Sequence, residues 1–468
     1  MLFIPYLMDD IKASWKIDTL HESLIKTSVY VGMTIGTFSC SKFIDTYGRK
    51  KFIIIGAAIM FVFSLLSFFS VSWIDFMIYR AFIGLGIGIQ MPAGMNLVSE
   101  NIPIKYRSIF LSSVWAAFGV ADLTSISLSW WLLPDWKLII LIFSFPMILT
   151  ILLGFAVYES PRYLYAHKFY VEGAAILKKI EEFNNLKEEL LNDDILEKII
   201  VEAEENISNQ YHPHFSQIFK KKFLGITLRT WVLWSSSNVG LYLTSFMVPK
   251  ILGGHSSGIK IKDTDYYVGM ITSGLITTPS CFISGILADM VGRKYSMVIF
   301  SAIALVFSFL IIFTDVGISY WAGIIKLTSG SIVANIKVFA TEVFPTKIRG
   351  IGSSSGHAVG RFLTILTPFI CDFFSVWWGY RSPFWVIIGF HALGIFCAYT
   401  MPFETKGREL DKNHNEEEEQ KYTTTDSECP NKVTDYLVES KYNDKIKDDL
   451  NINKVLSTAH SSSVFENK

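Results

Sequence analysis

Charged side chains are scarce in this chain. Asp, Glu, Lys and Arg make up 18% of its 468 residues, and the 42 acidic residues balance the 42 basic ones. A net charge of zero argues against a nucleic-acid-binding surface, which needs an excess of positive charge. The five cysteines form no C-x-x-C pair and four lie in apolar stretches, so neither a disulfide framework nor a cysteine metal site is expected. The sequence also lacks P-loop, G-x-S-x-G and H-E-x-x-H motifs, and we expect no enzyme activity, no metal and no cofactor.

Hydrophobic residues, in contrast, make up 51% of the chain and lie in long blocks. A membrane-spanning helix needs about 20 mainly apolar residues. We therefore predict an all-α membrane protein with eleven complete spans, at residues 24–44, 51–71, 76–98, 108–131, 138–158, 226–248, 266–287, 296–314, 318–340, 350–376 and 383–401. The first eight residues resemble the end of one more span whose beginning is missing; the alternative is a short interfacial segment.

The spans divide the chain into four predicted parts. These are an N-terminal helical bundle with a partial first span (1–158), a central loop with short amphipathic helices (159–222), a C-terminal helical bundle (223–401) and a disordered polar tail (402–468). Lys and Arg cluster in four short loops that fall on one side if the spans alternate, and both long polar segments fall on that side too. The positive-inside rule makes this side cytoplasmic. We expect a multi-pass monomer in the plasma membrane or in an intracellular vesicle membrane.

Two halves of the sequence repeat each other. D-x-x-G-R-K occurs at Asp45 and again at Asp289, and E-x-x-P-x-K-x-R occurs at Glu100 and at Glu342. A third, weaker echo links Glu159 to Glu404. All three recur in the same order about 240 residues later, which indicates an internal duplication of the kind found in transporters.

The repeated loops predict a gating network on the cytoplasmic side. Gly permits the tight turn between two spans, and Arg can pair with an acidic residue of a neighbouring helix and hold the two halves closed. The alternative is that the basic residues only set the topology. The residues predicted to form this network are Asp45, Gly48, Arg49, Lys50, Glu100, Arg107, Asp289, Gly292, Arg293, Glu342 and Arg349.

Polar residues inside spans are the candidates for a substrate site between the halves. Charge in the bilayer is expensive, so it marks a cavity or an ion pair. The predicted substrate and coupling residues are Asp122, Arg361, Asn238, Tyr242, Arg80 and Lys326. The third, sixth, ninth and twelfth spans are nearly free of charge and are predicted to face lipid.

Asp122 is the strongest of these candidates because it lies in the middle of a span. Its carboxylate either contacts a cationic substrate, takes up a coupled proton, or forms a structural pair with a neighbouring cation. Arg361 either binds an anionic group or pairs with an acid. Arg80 and Lys326 lie nearer the ends of their spans, which favours a structural role.

These motifs resemble those of the major facilitator superfamily. The D-x-x-G-R-K loops match its signature, the sequence from Arg80 to Gly88 is similar to its fourth-span pattern, and Glu159-Ser160-Pro161-Arg162 is similar to its sugar-porter and organic-ion-porter variants. Thr367-Pro368-Phe369-Ile370 is among the segments that resemble the branch of synaptic-vesicle-two-related proteins. The resemblance implies two six-helix bundles and a secondary transporter for a small organic solute, organic ion or sugar-like, with protons as a candidate coupling ion.

The chain departs from the family pattern in its first span, which is short, and in having Ser41 where Gly is usual. The short first span and the long charged tail motivate an alternative function. A non-transporting membrane protein with the same fold could act in vesicle trafficking or as a scaffold.

Overall fold

A computed structural model describes residues 4–102, 104–183, 215–252, 264–314, 316–344, 348–402 and 404. The chain forms two compact units. One comprises residues 1–157 and 213–410, and the other comprises residues 158–212 and 411–468. Most of the predicted tail and much of the predicted central loop lie outside the described residues.

The larger unit begins with six helices that we call the N-terminal half. They are α1 (Ile4–Trp15), α2 (Thr19–Tyr47), α3 (Arg49–Phe68), α4 (Trp73–Asn101), α5 (Ile104–Leu132) and α6 (Trp136–Ala156). Local sequence explains where several of them begin. Ser72 and Asp75 form a reciprocal capping box at the start of α4. Asp18 accepts the backbone N–H of His21 at the start of α2, and this hydrogen bond lowers the pKa of the Asp18 carboxyl.

A one-turn 3₁₀ helix (Phe215–Phe219) leads into the C-terminal half. Its helices are α9 (Lys221–Leu252), α10 (Thr264–Thr277), α11 (Ser280–Val291), α12 (Arg293–Phe313), α13 (Ile318–Val343), α14 (Arg349–Trp378) and α15 (Pro383–Tyr399). Ten predicted spans correspond to single helices. The predicted span 266–287 is instead two helices, because Pro279 cannot donate the backbone hydrogen bond that would continue α10.

Seven spans in the described part of the chain are long and apolar enough to cross a membrane by length and composition, the α10–α11 pair counting as one. The helix α15 is apolar but has 17 residues. Two of the helices outside this set, α2 and α9, have 29 and 32 residues but are more polar. The α6 helix, in contrast, is strongly apolar, and its Leu149, Leu152 and Phe155 side chains are all exposed. This exposure agrees with a lipid-facing sixth span.

Packing repeats between the halves. In the N-terminal half, α2 and α3 both pack on α4, and α3 also packs on α6. In the C-terminal half, α10 and α12 both pack on α13, and α12 also packs on α15. The halves meet where α2 contacts α14 and where α5 contacts α10 and α11. The duplication seen in the motifs therefore extends to the packing of the helices.

Glycines bring α2 and α4 into backbone contact. A Cβ atom at Gly32 would lie 1.8 Å from the carbonyl oxygen of Ala81, and one at Gly84 would lie 2.0 Å from that of Val29. Both distances are impossible for real atoms, so only glycine fits. This close approach is typical of helix packing in membranes. Association there depends on van der Waals packing, and small residues allow the two backbones to come close. It gives the R-A-F-I-G-L-G-I-G pattern of the fourth span a physical reason.

The smaller unit contains α7 (Pro161–Ala166) and α8 (Tyr170–Phe183) in its described part. Ser160 caps α7 by accepting the backbone N–H of Tyr163. The α8 helix buries Gly173 and Ala174 and exposes Phe183. These two short helices lie in the segment where short amphipathic helices are predicted.

The glycine contact generates a stability prediction. Replacing Gly84 by Ala forces the α2 and α4 backbones apart, and we expect a loss of roughly 1–3 kcal/mol from overpacking. Gly94 is the matched control on the same helix, because a Cβ there meets nothing within 4 Å. Thermal unfolding in detergent should show a lower Tm for Gly84→Ala and an unchanged or higher Tm for Gly94→Ala. Equal Tm values for the two variants would contradict the contact.

Candidate functional site

A buried ion pair joins the two halves at Asp122. The Nζ of Lys326, on α13, lies 2.7 Å from Asp122 Oδ2 on α5. The hydroxyl of Tyr6, on α1, donates to the other carboxylate oxygen, Oδ1, at 2.7 Å. Lys326 and Asp122 are 5% and 4% exposed, so both are almost completely removed from solvent. Of the alternatives for Asp122, the structure therefore contains the pair with a neighbouring cation.

Arg361 lies at a second contact between the halves and has only neutral described partners. Its guanidinium donates to Thr37 Oγ1 on α2, approaches Met91 Sδ on α4 at 3.6 Å, and donates from Nε to His357 Nε2 at 3.3 Å. None of these described partners is a carboxylate. The side chain is 8% exposed. A buried cation of this kind is unusual, because buried charges are normally neutralised by an acid.

Aromatic rings lie near this position. Trp234 contacts the His357 ring with centroids 4.7 Å apart, and Tyr242 meets Tyr30 edge-on at 5.4 Å across the boundary between the halves. The Nε1 of Trp234 is buried without a hydrogen-bond partner among the described atoms. Asn238 donates to the carbonyl oxygen of Trp234 in its own helix at 2.7 Å.

One hydrophobic cluster connects the Asp122 pair to the rings of Tyr30 and Tyr242. Tyr6 and Tyr30 are buried members of this cluster, and the partly buried Tyr242 packs against it. The structure thus brings Asp122, Lys326, Arg361 and Tyr242 to the region between the halves. The described contacts of Asn238, a fifth predicted residue, lie within the C-terminal half.

Arg80, the sixth residue, packs inside the N-terminal half. It donates from Nε to the carbonyl oxygen of Ile25 at 3.2 Å and lies over the Phe76 ring. These contacts agree with the structural role favoured by its place near the end of a span.

The arginines of the motif loops pair with glutamates of their own halves. Arg49 pairs with Glu100 at 2.9 Å, and Arg293 lies 3.7 Å from Glu342. Both expected Arg–Glu pairings are therefore present, yet each lies within one half. Closure of the two halves through these motifs stays a prediction. The side chains of Asp45, Arg107 and Arg349 lie outside the described part of the structure.

Gly48 and Gly292 occupy equivalent turns with φ of +98° and +104°. This left-handed region favours glycine, which explains why both copies of the loop carry one. The following lysines are also equivalent. Lys50 donates to the carbonyl oxygen of Phe155, at the end of α6, and Lys294 donates to that of Met401, just after α15.

Glu404 has a role that the sequence pattern did not reveal. Its carboxylate accepts the backbone N–H groups of Arg293 and Lys294 at 2.8 and 3.0 Å, at the start of α12. An acid at a helix N-terminus satisfies free donors and complements the helix dipole.

A group of four charged residues was also missed. Glu22 and Lys26 on α2 meet Lys250 on α9 and Asp372 on α14, at the end of the bundle opposite the motif loops. We call these residues the four-residue charge cluster. The predicted span began at residue 24, which left Glu22 outside it, and Asp372 lies near the end of its own span. A charged residue in the middle of a predicted span indicates a site, but these residues lie near the ends of their helices, where charge is common.

The fold and these buried charges define a helical membrane transporter with two duplicated halves. Residues 9–416 match the family described as sugar (and other) transporter, and the chain belongs to this family. Its fold matches the E. coli xylose transporter XylE in a partially occluded inward open conformation, with a TM-score of 0.69 at 16% identity over 87% of this chain and 95% of that chain. A second structure, of XylE as a major facilitator superfamily proton:xylose symporter bound to 6-bromo-6-deoxy-D-glucose, gives a TM-score of 0.67. The predicted superfamily and the predicted all-α membrane fold are confirmed.

Two curated relatives show similar sequences. The chain is 25% identical over 453 residues to organic cation/carnitine transporter 7 of Arabidopsis thaliana, covering 88% of this chain and 89% of the relative. It is 24% identical over 440 residues to the synaptic vesicle 2-related protein of Xenopus laevis, covering 89% and 77%. The resemblance to the synaptic-vesicle-two-related branch is borne out at this level of identity.

The buried pair predicts a non-additive effect on stability. Lys326→Met alone leaves Asp122 buried without its cation and should lower stability by roughly 3–5 kcal/mol. Asp122→Asn combined with Lys326→Met removes both charges and should lower stability less than Lys326→Met alone. Unfolding in detergent measures both variants. A double variant that is less stable than the single one would contradict the pairing.

Proposed function

We propose that this protein is a secondary transporter that carries a small organic solute with a carboxylate group by alternating access. Arg361 binds the carboxylate, the rings of Tyr30, Tyr242 and Trp234 contact the rest of the solute, and Asp122 carries a coupled proton. The two halves expose this region to one side of the membrane and then to the other.

The observation that carries the proposal is the environment of Arg361. A guanidinium that is 8% exposed, with neutral described partners, has unmet capacity for an anion. Arg binds carboxylates through two parallel hydrogen bonds, which gives both affinity and orientation. Since the residue contacts α2 and α4 from α14, a solute bound to it would touch both halves.

The aromatic rings favour a solute that also has an apolar or cationic part. A cation is attracted to the face of Tyr and Trp rings. One relative is named as an organic cation/carnitine transporter, and carnitine carries both a carboxylate and a quaternary ammonium group. A zwitterion of this type would satisfy both the guanidinium and the rings, whereas a neutral sugar would leave Arg361 without a counter-charge.

Asp122 is suited to proton coupling because its partner lies in the other half. Protonation of the carboxylate would weaken the pair with Lys326 and allow α5 and α13 to separate. We place the motif loops, the central segment 159–222 and the tail 402–468 on the cytoplasmic side, following the positive-inside rule.

Uptake in proteoliposomes tests the solute class. We expect carnitine and a simple monocarboxylate to be transported, and choline and xylose not to be. Arg361→Lys should lower kcat/KM by at least roughly tenfold, because a lysine cannot form the paired hydrogen bonds. Arg229→Met is the matched control, since Arg229 donates to Thr400 away from this region. Transport of choline or xylose that is insensitive to Arg361→Lys would overturn the assignment, and no transport of any solute would favour the scaffold function.

The proton-coupling role is tested with Asp122→Asn. An imposed proton gradient should stimulate uptake by the unmodified protein and should not stimulate uptake by Asp122→Asn, while solute exchange without a gradient continues. Asp135→Asn, at the start of α6 and without a side-chain cap bond, is the control. Gradient stimulation that survives in Asp122→Asn would remove this role.

A further inference from the structure

The four-residue charge cluster lies where α2 of the N-terminal half meets α9 and α14 of the C-terminal half. Three of its members are almost completely buried: Asp372 is 0% exposed, Lys26 is 2% exposed and Glu22 is 5% exposed. The side chain of Lys250 is 21% exposed. Two acids face two lysines within the cluster, so its four charges sum to zero. A third lysine, Lys12 on α1, lies 3.2 Å from Glu22 Oε2 at the edge of the cluster, and its side chain is 40% exposed.

Three contacts in this cluster cross between the halves. Lys26 Nζ lies 3.2 Å from Asp372 Oδ1, Lys250 Nζ lies 3.5 Å from Glu22 Oε1, and Ser23 donates to Asp372 Oδ2 at 2.6 Å. These contacts must all break if this end of the bundle opens. The cluster therefore holds the halves together in the state that the structure describes.

Each half also contains a complete ion pair of its own. Lys26 pairs with Glu22 one turn away on α2, and Lys250 pairs with Asp372 between α9 and α14. Separation of the halves consequently leaves no lysine without an acid. This arrangement matters because a buried charge without a partner is strongly unfavourable, whereas a charge that exchanges one partner for another is not.

We propose that the four-residue charge cluster is a latch that closes the end of the transporter opposite the motif loops and opens by partner exchange. In the closed state the four charges form one group across both halves. In the open state they form two neutral pairs, one in each half. The proposal rests on the proposed alternating-access function, and its test uses a readout that does not require transport.

Inverting one internal pair should open the latch without changing the charge of either half. Glu22→Lys with Lys26→Glu preserves the pair within α2 but sets like charges against Lys250 and Asp372 across the boundary. Lys250→Glu with Asp372→Lys does the same from the C-terminal half. Combining all four substitutions restores opposite charges at every cross-half contact.

A cysteine at position 23 reports opening directly. Ser23 is 0% exposed and touches Asp372 across the boundary, so Ser23→Cys should react with a hydrophilic maleimide only when this end opens. Native Cys397, on α15, is an internal control for unfolding. It is buried in a hydrophobic cluster of the C-terminal half and should stay unlabelled. Peptide mass spectrometry distinguishes the two sites.

All variants are made in a background with Lys12→Met and Ser23→Cys, because Lys12 would otherwise face the new lysine at position 22 within the same half. In this background, either inverted pair should raise the labelling rate by at least roughly tenfold, the effect of losing one charge-assisted contact. The fourfold inversion should return the rate to within roughly twofold of the starting value. Lys137→Met should leave the rate unchanged. Lys137 lies on α6, and its described contacts, Ser70 and the Trp136 ring, belong to the N-terminal half.

Unchanged labelling in either inverted pair would overturn the latch, as would a fourfold inversion that fails to restore the starting rate. If an inverted pair prevents folding, Asp372→Asn removes the acid that both lysines share and should also raise the rate. Unchanged labelling of this variant would likewise overturn the proposal.

Uptake by the unmodified protein separates the latch proposal from the proposed transport function. If the inverted pairs raise the labelling rate and the fourfold inversion restores it, but no solute is taken up, the latch is supported and transport is refuted. If solute is taken up but the labelling rate does not respond to the inversions, transport is supported and the latch is refuted.

Discussion

The need to neutralise charge in an apolar interior governs how the two halves of this transporter meet. Lys326 reaches Asp122 across one part of the boundary, and Lys26 reaches Asp372 across another. Each such pair is stable only while both partners are present, because a charged side chain that loses its partner in an apolar interior has no water to solvate it. The halves are therefore held by a small number of specific contacts that can break and form again, which is what alternating access requires.

The interior of the N-terminal half follows a different constraint. There, glycines allow the backbones of α2 and α4 to touch, as at Gly32 and Gly84. Contacts of this kind leave little room for α2 to slide along α4. Close packing within the half and exchangeable contacts between the halves complement each other in the proposed mechanism, which places the motion at the boundary where Arg361, Asp122 and the four-residue charge cluster lie.

Sequence reasoning predicted the features that repeat or that stand out against an apolar background. It identified Gly48 and Gly292 from the duplicated loop, and Asp122 and Arg361 from charge within a span. It could not pair Asp122 with Lys326, because the partners are about 200 residues apart and only the packing of α5 and α13 sets their distance. Glu22 and Asp372 escaped notice because charge near the end of a span is ordinary. Their significance comes from burial, which depends on neighbours that the sequence does not indicate.

The central claim is that two rigid halves exchange which end of the bundle is open when solute binds. Distances between spin labels test this claim most directly, with one pair of labels at Leu20 and Val376 and another at Tyr47 and Tyr295, all exposed positions at the two ends. Adding a carboxylate-bearing solute should lengthen one distance while shortening the other, by several ångström in each case. Distances that stay unchanged, or that lengthen together, would contradict alternating access in this protein.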